Sequence, residues 1–231
     1  ELGGNAPFVV FDDAELVPAK NCLMGAKFTN AGQVCIAANK VLVQEAVYEE
    51  FVTLLTKDAA ALRVGNGLEA GVNMGPMISK ESVAHMEALV ADAVAKGARV
   101  TCGGKRVAGP GCFFEPTVIA DVTTDMRIYQ EEIFGPIASI AKFGTEEQGI
   151  AMANDTDYGL AGYVFARNMG RAWRAARQIE AGMVGVNEFP LAPGEVPFGG
   201  IKHSGLGAAG GKPGPQEYLE VKYVLLGGLD G

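Results

Sequence analysis

The sequence predicts an α/β fold: an open, mostly parallel twisted sheet with helices on both faces. Three observations carry this. Strand-like and helix-like segments alternate along 231 residues. Hydrophobic residues make up 48% and charged residues 20%, enough apolar surface to fill a core and too little charge for disorder. Glycine is frequent, 32 residues, without a three-residue period. That excludes collagen and implies many tight turns and close backbone approaches.

The elements follow in order. Apolar Pro7–Phe11 reads as a strand, and Asp12-Asp13 are placed to cap a helix over 15–30. β-Branched Lys40–Gln44 is a strand. Phe51, Leu54, Leu55, Ala59 and Leu62 give a helix over 48–62. Ser79 caps a helix through Lys96 with Val83, Met86, Leu89, Val90 and Val94 inward, and Gly97 stops it. Strands follow at 99–102, 117–121 and 138–143. A helix from Thr145 carries Ile150 and Met152. The remaining elements are a strand over 161–166, a helix over 171–181 with Trp173 and Ile179 inward, and a strand over 183–187. A Gly/Pro-rich loop fills 190–215, and a last strand covers 218–226.

A formal charge of −8 and the lack of a clustered Lys/Arg face argue against nucleic acid as a partner. No apolar run reaches the ~18 residues of a membrane span. The four cysteines (Cys22, Cys35, Cys102, Cys112) contain no CxxC, and the histidines are His85 and His203, so zinc-ligand spacing is absent. In a large acidic α/β chain these thiols are expected reduced, in the cytoplasm. Gly205-Leu-Gly-Ala-Ala-Gly210 matches the dinucleotide fingerprint, but no strand feeds it and loop geometry is the better reading. The sequon Asn154-Asp-Thr156 is a chance match.

Two residues invite chemistry. Cys35 follows Asn30-Ala-Gly-Gln33-Val, a helix end running into a turn, where backbone N–H groups can stabilise a thiolate or an oxyanion. A buried, inert thiol is the competing reading. Glu1 stands before a glycine turn and an apolar strand; alone, it is an ordinary solvated acid.

Four motifs together are more specific: Glu1-Leu-Gly-Gly-Asn5, Asn30-Ala-Gly-Gln-Val-Cys35, Glu131-Glu-Ile-Phe-Gly-Pro136 and Pro197-Phe-Gly-Gly-Ile-Lys-His-Ser-Gly205. In this order and spacing the chain resembles the NAD(P)-dependent aldehyde dehydrogenase superfamily, most of all its succinate-semialdehyde dehydrogenase branch. The resemblance implies that Cys35 is the nucleophile, forming a thiohemiacetal and then a thioester, with hydride passing to NAD or NADP. It makes Glu1 the base that activates the hydrolytic water. By the same resemblance Glu132 and Phe134 hold the nicotinamide ribose and flank its ring, and Val34, Ile36 and Phe198 wall the substrate pocket. The resemblance also implies that the product is a carboxylic acid and the aldehyde a semialdehyde such as succinate semialdehyde. An uncharged aldehyde, or an esterase activity of the isolated domain, is the alternative.

The sequence departs from that branch at Thr29, where an Arg is usual, and at Ala192-Pro193, where a Ser is usual. It departs again at Gly207-Ala208-Ala209, in place of Gly-Arg-Glu, and at His85, in place of a Lys. The resemblance further implies a catalytic domain over 1–215, an oligomerisation strand over 216–231 and a homo-oligomer, dimer or tetramer. It places the nucleotide-binding domain ahead of Glu1, so the fragment alone is expected to bind NAD(P) poorly and to be at most weakly active.

Overall fold

In a computed structural model, residues 1–228 are described. Strands β1 (Ala6–Val10), β2 (Ala38–Gln44), β3 (Arg99–Cys102), β4 (Thr117–Ala120), β5 (Ile137–Phe143), β7 (Ala161–Phe165) and β8 (Met183–Val186) form one sheet in the order β3-β4-β5-β2-β1-β7-β8. Only the β3–β4 pair is antiparallel. The two-residue strands β6 (Tyr158–Gly159) and β9 (Ile201–Lys202) make a separate antiparallel pair, so the Gly/Pro-rich loop holds a short strand that its composition does not announce.

Every residue of β1, β4 and β7 is buried. Because side chains alternate faces, both faces must be covered. Helices α1 (Leu16–Phe28) and α2 (Tyr48–Ala60) pack on each other and on β1 to β4; α5 (Glu146–Asn154) and α6 (Met169–Gln178) do the same on β1, β2, β7 and β8. Helix α3 (Lys80–Ala95) packs on the short α4 (Arg127–Gln130). Aromatic rings fill the centre. Phe8 stacks on Phe165 at 4.6 Å, and Phe11 meets Phe143 edge-on at 5.6 Å. Each such buried ring contributes about 2 kcal/mol by area.

The expected helix signals act locally. Ser79 Oγ accepts from Ser82 N at 3.2 Å, Thr145 Oγ1 from Gln148 N at 3.2 Å, and Gly97 closes α3 at φ +96°. Four expectations are corrected. Asp12 and Asp13 do not cap α1, whose N-cap is Glu15 without a side-chain bond. They serve α6 instead: Asp13 accepts from Asn168 N at 2.7 Å, and Arg171 pairs with both, at 2.6 and 2.8 Å. Trp173 is 63% exposed; small Ala172 and Ala175 face inward and let α6 sit close to the sheet. Val94 is 50% exposed, because the buried face runs through Val83, Met86, Leu89 and Ala93, and Val94 lies one residue further round the helix. The strand expected over 218–226 does not form. Gly214–Tyr218 is a 3-10 turn, 219–228 has no regular structure, and Val221 is 100% exposed. Strand propensity needs a neighbouring strand to bond to, and none in the described residues lies beside this segment. Residues 229–231 of the predicted C-terminal strand lie outside the described residues.

Candidate active site

Three of the four motifs lead into strands of the sheet. Glu1–Asn5 leads into β1, Asn30–Cys35 into β2 and Glu131–Pro136 into β5. These strands are neighbours and parallel, β5-β2-β1, with Ala6 beside Ala38 and Lys40 beside Ser139. Their amino ends therefore lie together, and with them Glu1, Cys35 and Glu132.

The turn before Cys35 is tightly built. Helix α1 ends into three consecutive left-handed residues, Asn30 (φ 53°), Ala31 (φ 54°) and Gly32 (φ 71°). Asn30 Nδ2 donates to Gln33 O and Gln33 Nε2 to Asn30 O, both at 3.0 Å; Gln33 Oε1 accepts from Ile78 N at 2.8 Å. A side chain at Gly32 would strike the Gly135 carbonyl at 2.2 Å, so the Cys35 turn lies directly on the loop that carries Glu132 and Phe134.

The Cys35 thiol is half-buried. Burial is the largest cause raising its pKa, and the Glu1 carboxylate adds to it by charge and by hydrogen bonding; the N–H groups of Cys35 and Ile36 pull the other way. The thiol, the carboxylate and two backbone donors thus converge. Glu1 itself is exposed and accepts from Gly3 N at 2.7 Å. Glu132 is held from the same turn, its Oε1 accepting from Gly4 N at 3.1 Å. Burial raises the Glu132 pKa and Glu1 adds like-charge repulsion, while the Gly4 N–H and the Lys27 ammonium oppose them. Phe134 follows at φ 47°, and the residue is 44% exposed.

Three supporting residues escape a reading of motifs. Asn39 lies inside the apolar β2, where Asn is disfavoured, and that anomaly is the signal that marks it. Its Nδ2 donates to Asn5 Oδ1 at 2.7 Å and to Glu131 O at 2.8 Å, and its Oδ1 accepts from Ile133 N at 2.8 Å. One buried amide thereby fixes both sides of Glu132. Tyr163 donates its hydroxyl to Ile36 O at 2.6 Å, pinning the backbone beside Cys35. Lys27, on α1, is wholly buried, and its Nζ is the one buried side-chain nitrogen or oxygen without a hydrogen bond among the described residues. Burial pulls its pKa down to about 7, against the favourable charge of Glu132.

Two cavities adjoin the site. One of about 410 Å³ is lined by Val34 and Ile36, on either side of Cys35, together with Thr29, Tyr163 and the segment Phe189–Pro193. Phe198 lies elsewhere, in a cavity of about 240 Å³ that it shares with Glu1, Ser204 and Glu217. Gly205, Gly207 and Gly210 all have positive φ in a loop that no α-helix follows among the described residues, which is the loop reading of the GxGxxG match.

The sequence model of the aldehyde dehydrogenase family matches residues 1–224. The chain belongs to that family. It is 51% identical over 229 residues to a succinate semialdehyde dehydrogenase of Acinetobacter baylyi, covering 99% of this chain and 47% of that protein. It is 50% identical to a 3-sulfolactaldehyde dehydrogenase of Pseudomonas putida, covering 100% of this chain and 47% of that protein. The crystal structure of succinate-semialdehyde dehydrogenase from Burkholderia pseudomallei superposes with a TM-score of 0.95 at 46% identity, over 97% of this chain and 46% of that one. The chain thus spans about half the length of the relatives it matches.

Proposed function

We propose that this chain is the catalytic part of an NAD(P)-dependent aldehyde dehydrogenase acting on a semialdehyde such as succinate semialdehyde. The observation that carries the reading is the convergence of the Cys35 thiol, the Glu1 carboxylate and two backbone N–H groups at the amino ends of adjacent parallel strands. Several relatives are named for succinate or glutarate semialdehyde.

In this reading the Cys35 sulfur attacks the aldehyde carbon, and the N–H of Cys35 stabilises the negative charge that develops on the carbonyl oxygen. The residues on the turn suit a nicotinamide nucleotide. Glu132 offers a half-buried carboxylate for ribose hydroxyls, and Phe134 presents an open ring beside it. When bound, NAD(P)+ supplies the hydride acceptor. Glu1 then takes a proton from water, and that water hydrolyses the Cys35 thioester to release the acid. Val34 and Ile36 shape the wall around the aldehyde, while Phe198 lines the separate cavity that holds Glu1.

Supporting proposals accompany this one. Residues 1–215 form the catalytic domain. The exposed apolar segment around Val221, Tyr223 and Leu225 suits a contact in a homo-oligomer. A cytoplasmic enzyme without nucleic-acid or membrane partners agrees with the acidic charge, and no helix of the described residues is long and apolar enough to cross a membrane.

The test is to express the complete reading frame that contains this chain and follow nicotinamide reduction with succinate semialdehyde. Cys35→Ser should abolish turnover, and Glu1→Gln should leave the first hydride transfer but slow acid release. Retained turnover in Cys35→Ser would refute the assignment.

A further inference from the structure

Lys27 is the anomaly of the interior. It sits in the last turn of α1, wholly buried, and its Nζ meets no acceptor among the described residues. Burying an unpaired ammonium is strongly unfavourable, so it needs an anion nearby. The elements packed on α1 offer few. Strand β1 carries no charge, and the charged residue of β2 is Lys40, another cation, whose Nζ donates to Asp155 O. On α2, Asp58 is taken by Lys20 of α1 itself, and Glu49, Glu50 and Lys57 are exposed.

That leaves the loop ahead of β5. The Lys27 and Gly135 carbonyl oxygens lie 2.9 and 2.2 Å from the point where a Gly32 Cβ would stand, so the end of α1 rests on this loop. Of its two acids, Glu131 pairs with Arg127 at 2.6 Å. The Glu132 carboxylate accepts one hydrogen bond, from Gly4 N at 3.1 Å, and makes no ion pair among the described residues. An unpaired buried cation and an unpaired half-buried anion thus stand on facing segments, and their charges are felt across the gap. Burial and the Glu1 charge both push Glu132 toward its neutral form; Lys27 is the cation that opposes them. A carboxylate accepts hydroxyl hydrogen bonds more strongly than a neutral acid does.

We propose that Lys27 is a positioning residue for the cofactor: its buried ammonium is the counter-charge that keeps Glu132 an anion at the Gly3-Gly4 turn, ready for the ribose. The inference rests on the reading of Glu132 as the ribose-binding carboxylate. Lys27 acts through Glu132 and touches no cofactor atom itself. Both groups are charged between the raised Glu132 value and about 7, where Lys27 gives up its proton; above that range Glu132 is ionised without help.

Carbon-13 NMR of the 231-residue chain, labelled at glutamate Cδ, reads the Glu132 titration without cofactor. Loss of one signal in Glu132→Gln assigns it. Lys27→Met should move the Glu132 midpoint up by at least about half a pH unit, whereas a merely structural Lys27 would leave it in place. Coupling is reciprocal, so Glu132→Gln should lower the pH at which Lys27 loses its proton by the same amount. That change is read as a shift, toward lower pH, of the window in which the urea midpoint rises. This arm needs no Lys27 variant and decides alone if Lys27→Met fails to fold. In the complete reading frame, NAD+ and NADP+ binding is followed by calorimetry against pH. The loss of binding on the acid side should move up in Lys27→Met by as much as the NMR midpoint, and Lys27→Met should add nothing in a Glu132→Gln background. An unmoved Glu132 midpoint, or an unmoved Lys27 window in Glu132→Gln, overturns the inference. A moved midpoint with an unmoved binding profile is a different failure: it removes Glu132 as the ribose ligand, and with it the role of Lys27 toward the cofactor.

Discussion

Gly32→Ala perturbs the contact on which the site depends, and two other glycines separate the parts of its cost. At φ +71° an alanine carries left-handed strain of about 1–2 kcal/mol. Its Cβ would also stand 2.2 Å from the Gly135 carbonyl oxygen and 2.9 Å from the Lys27 carbonyl oxygen, both backbone atoms inside the 3.0 Å limit of real contacts. Such overpacking adds about 1–3 kcal/mol. The sum, about 2–5 kcal/mol, is a large share of a domain's typical stability of about 5–15 kcal/mol. Two other glycines separate the causes. Gly97 has φ +96° and nothing within 4 Å of the point where a Cβ would stand, so Gly97→Ala reports the strain alone, about 1–2 kcal/mol. Gly67 has neither positive φ nor a neighbour within 4 Å, and Gly67→Ala should fall between neutral and about 1 kcal/mol stabilising. Urea unfolding with a constant m-value measures all three. Because the clash pushes the Cys35 turn away from the Glu132 loop, Gly32→Ala alone should also change the alkylation rate of Cys35. A Gly32→Ala cost equal to that of Gly97→Ala, with Cys35 reactivity unchanged, would refute the argument that this contact holds the site together.

Three further predictions concern groups around the site. Asn39→Ala strips partners from Asn5, Glu131 and Ile133 at once and should cost about 3 kcal/mol or more in urea unfolding; a loss under about 1 kcal/mol would show that Asn39 does not fix the loop. The pH profile of Cys35 alkylation should have its midpoint above the ordinary thiol value, and Glu1→Gln should lower that midpoint by removing the Glu1 charge and hydrogen bond; an unmoved midpoint would separate the two groups. Lys27 binds its proton less tightly folded, at about 7, than unfolded, near 10.5, so the unfolded chain holds more protons between those values and stability rises with pH there. The slope from this group is at most about 1.4 kcal/mol per pH unit. It should vanish in Lys27→Met, as read from urea midpoints between pH 7 and 10; an unchanged slope would place the titration elsewhere.

Periodicity located the main elements because core faces and caps are local properties. Ser79, Gly97 and Thr145 act where they stand in sequence. The misplacements at Trp173, Asp12-Asp13 and the 218–226 segment share one cause. Each depends on what another element offers: the close approach of α6, the Arg171 guanidinium, or a strand to pair with.

The site divides in the same way. The motifs of Glu1, Cys35 and Glu132 are legible in the sequence, since glycine turns and a cysteine after a helix end are short-range patterns, and so is the alternation that predicts a parallel sheet. Their meeting is not. It follows from the strand order β5-β2-β1 and from parallel pairing, which bring three distant amino ends to one edge. The Asn5–Asn39 amide pair, the buried Lys27 and the uncharged cavity beside Cys35 are likewise decided by tertiary structure. Hydrogen-bond partners, burial and cavity walls are relations between residues far apart in the chain, and no local pattern encodes them.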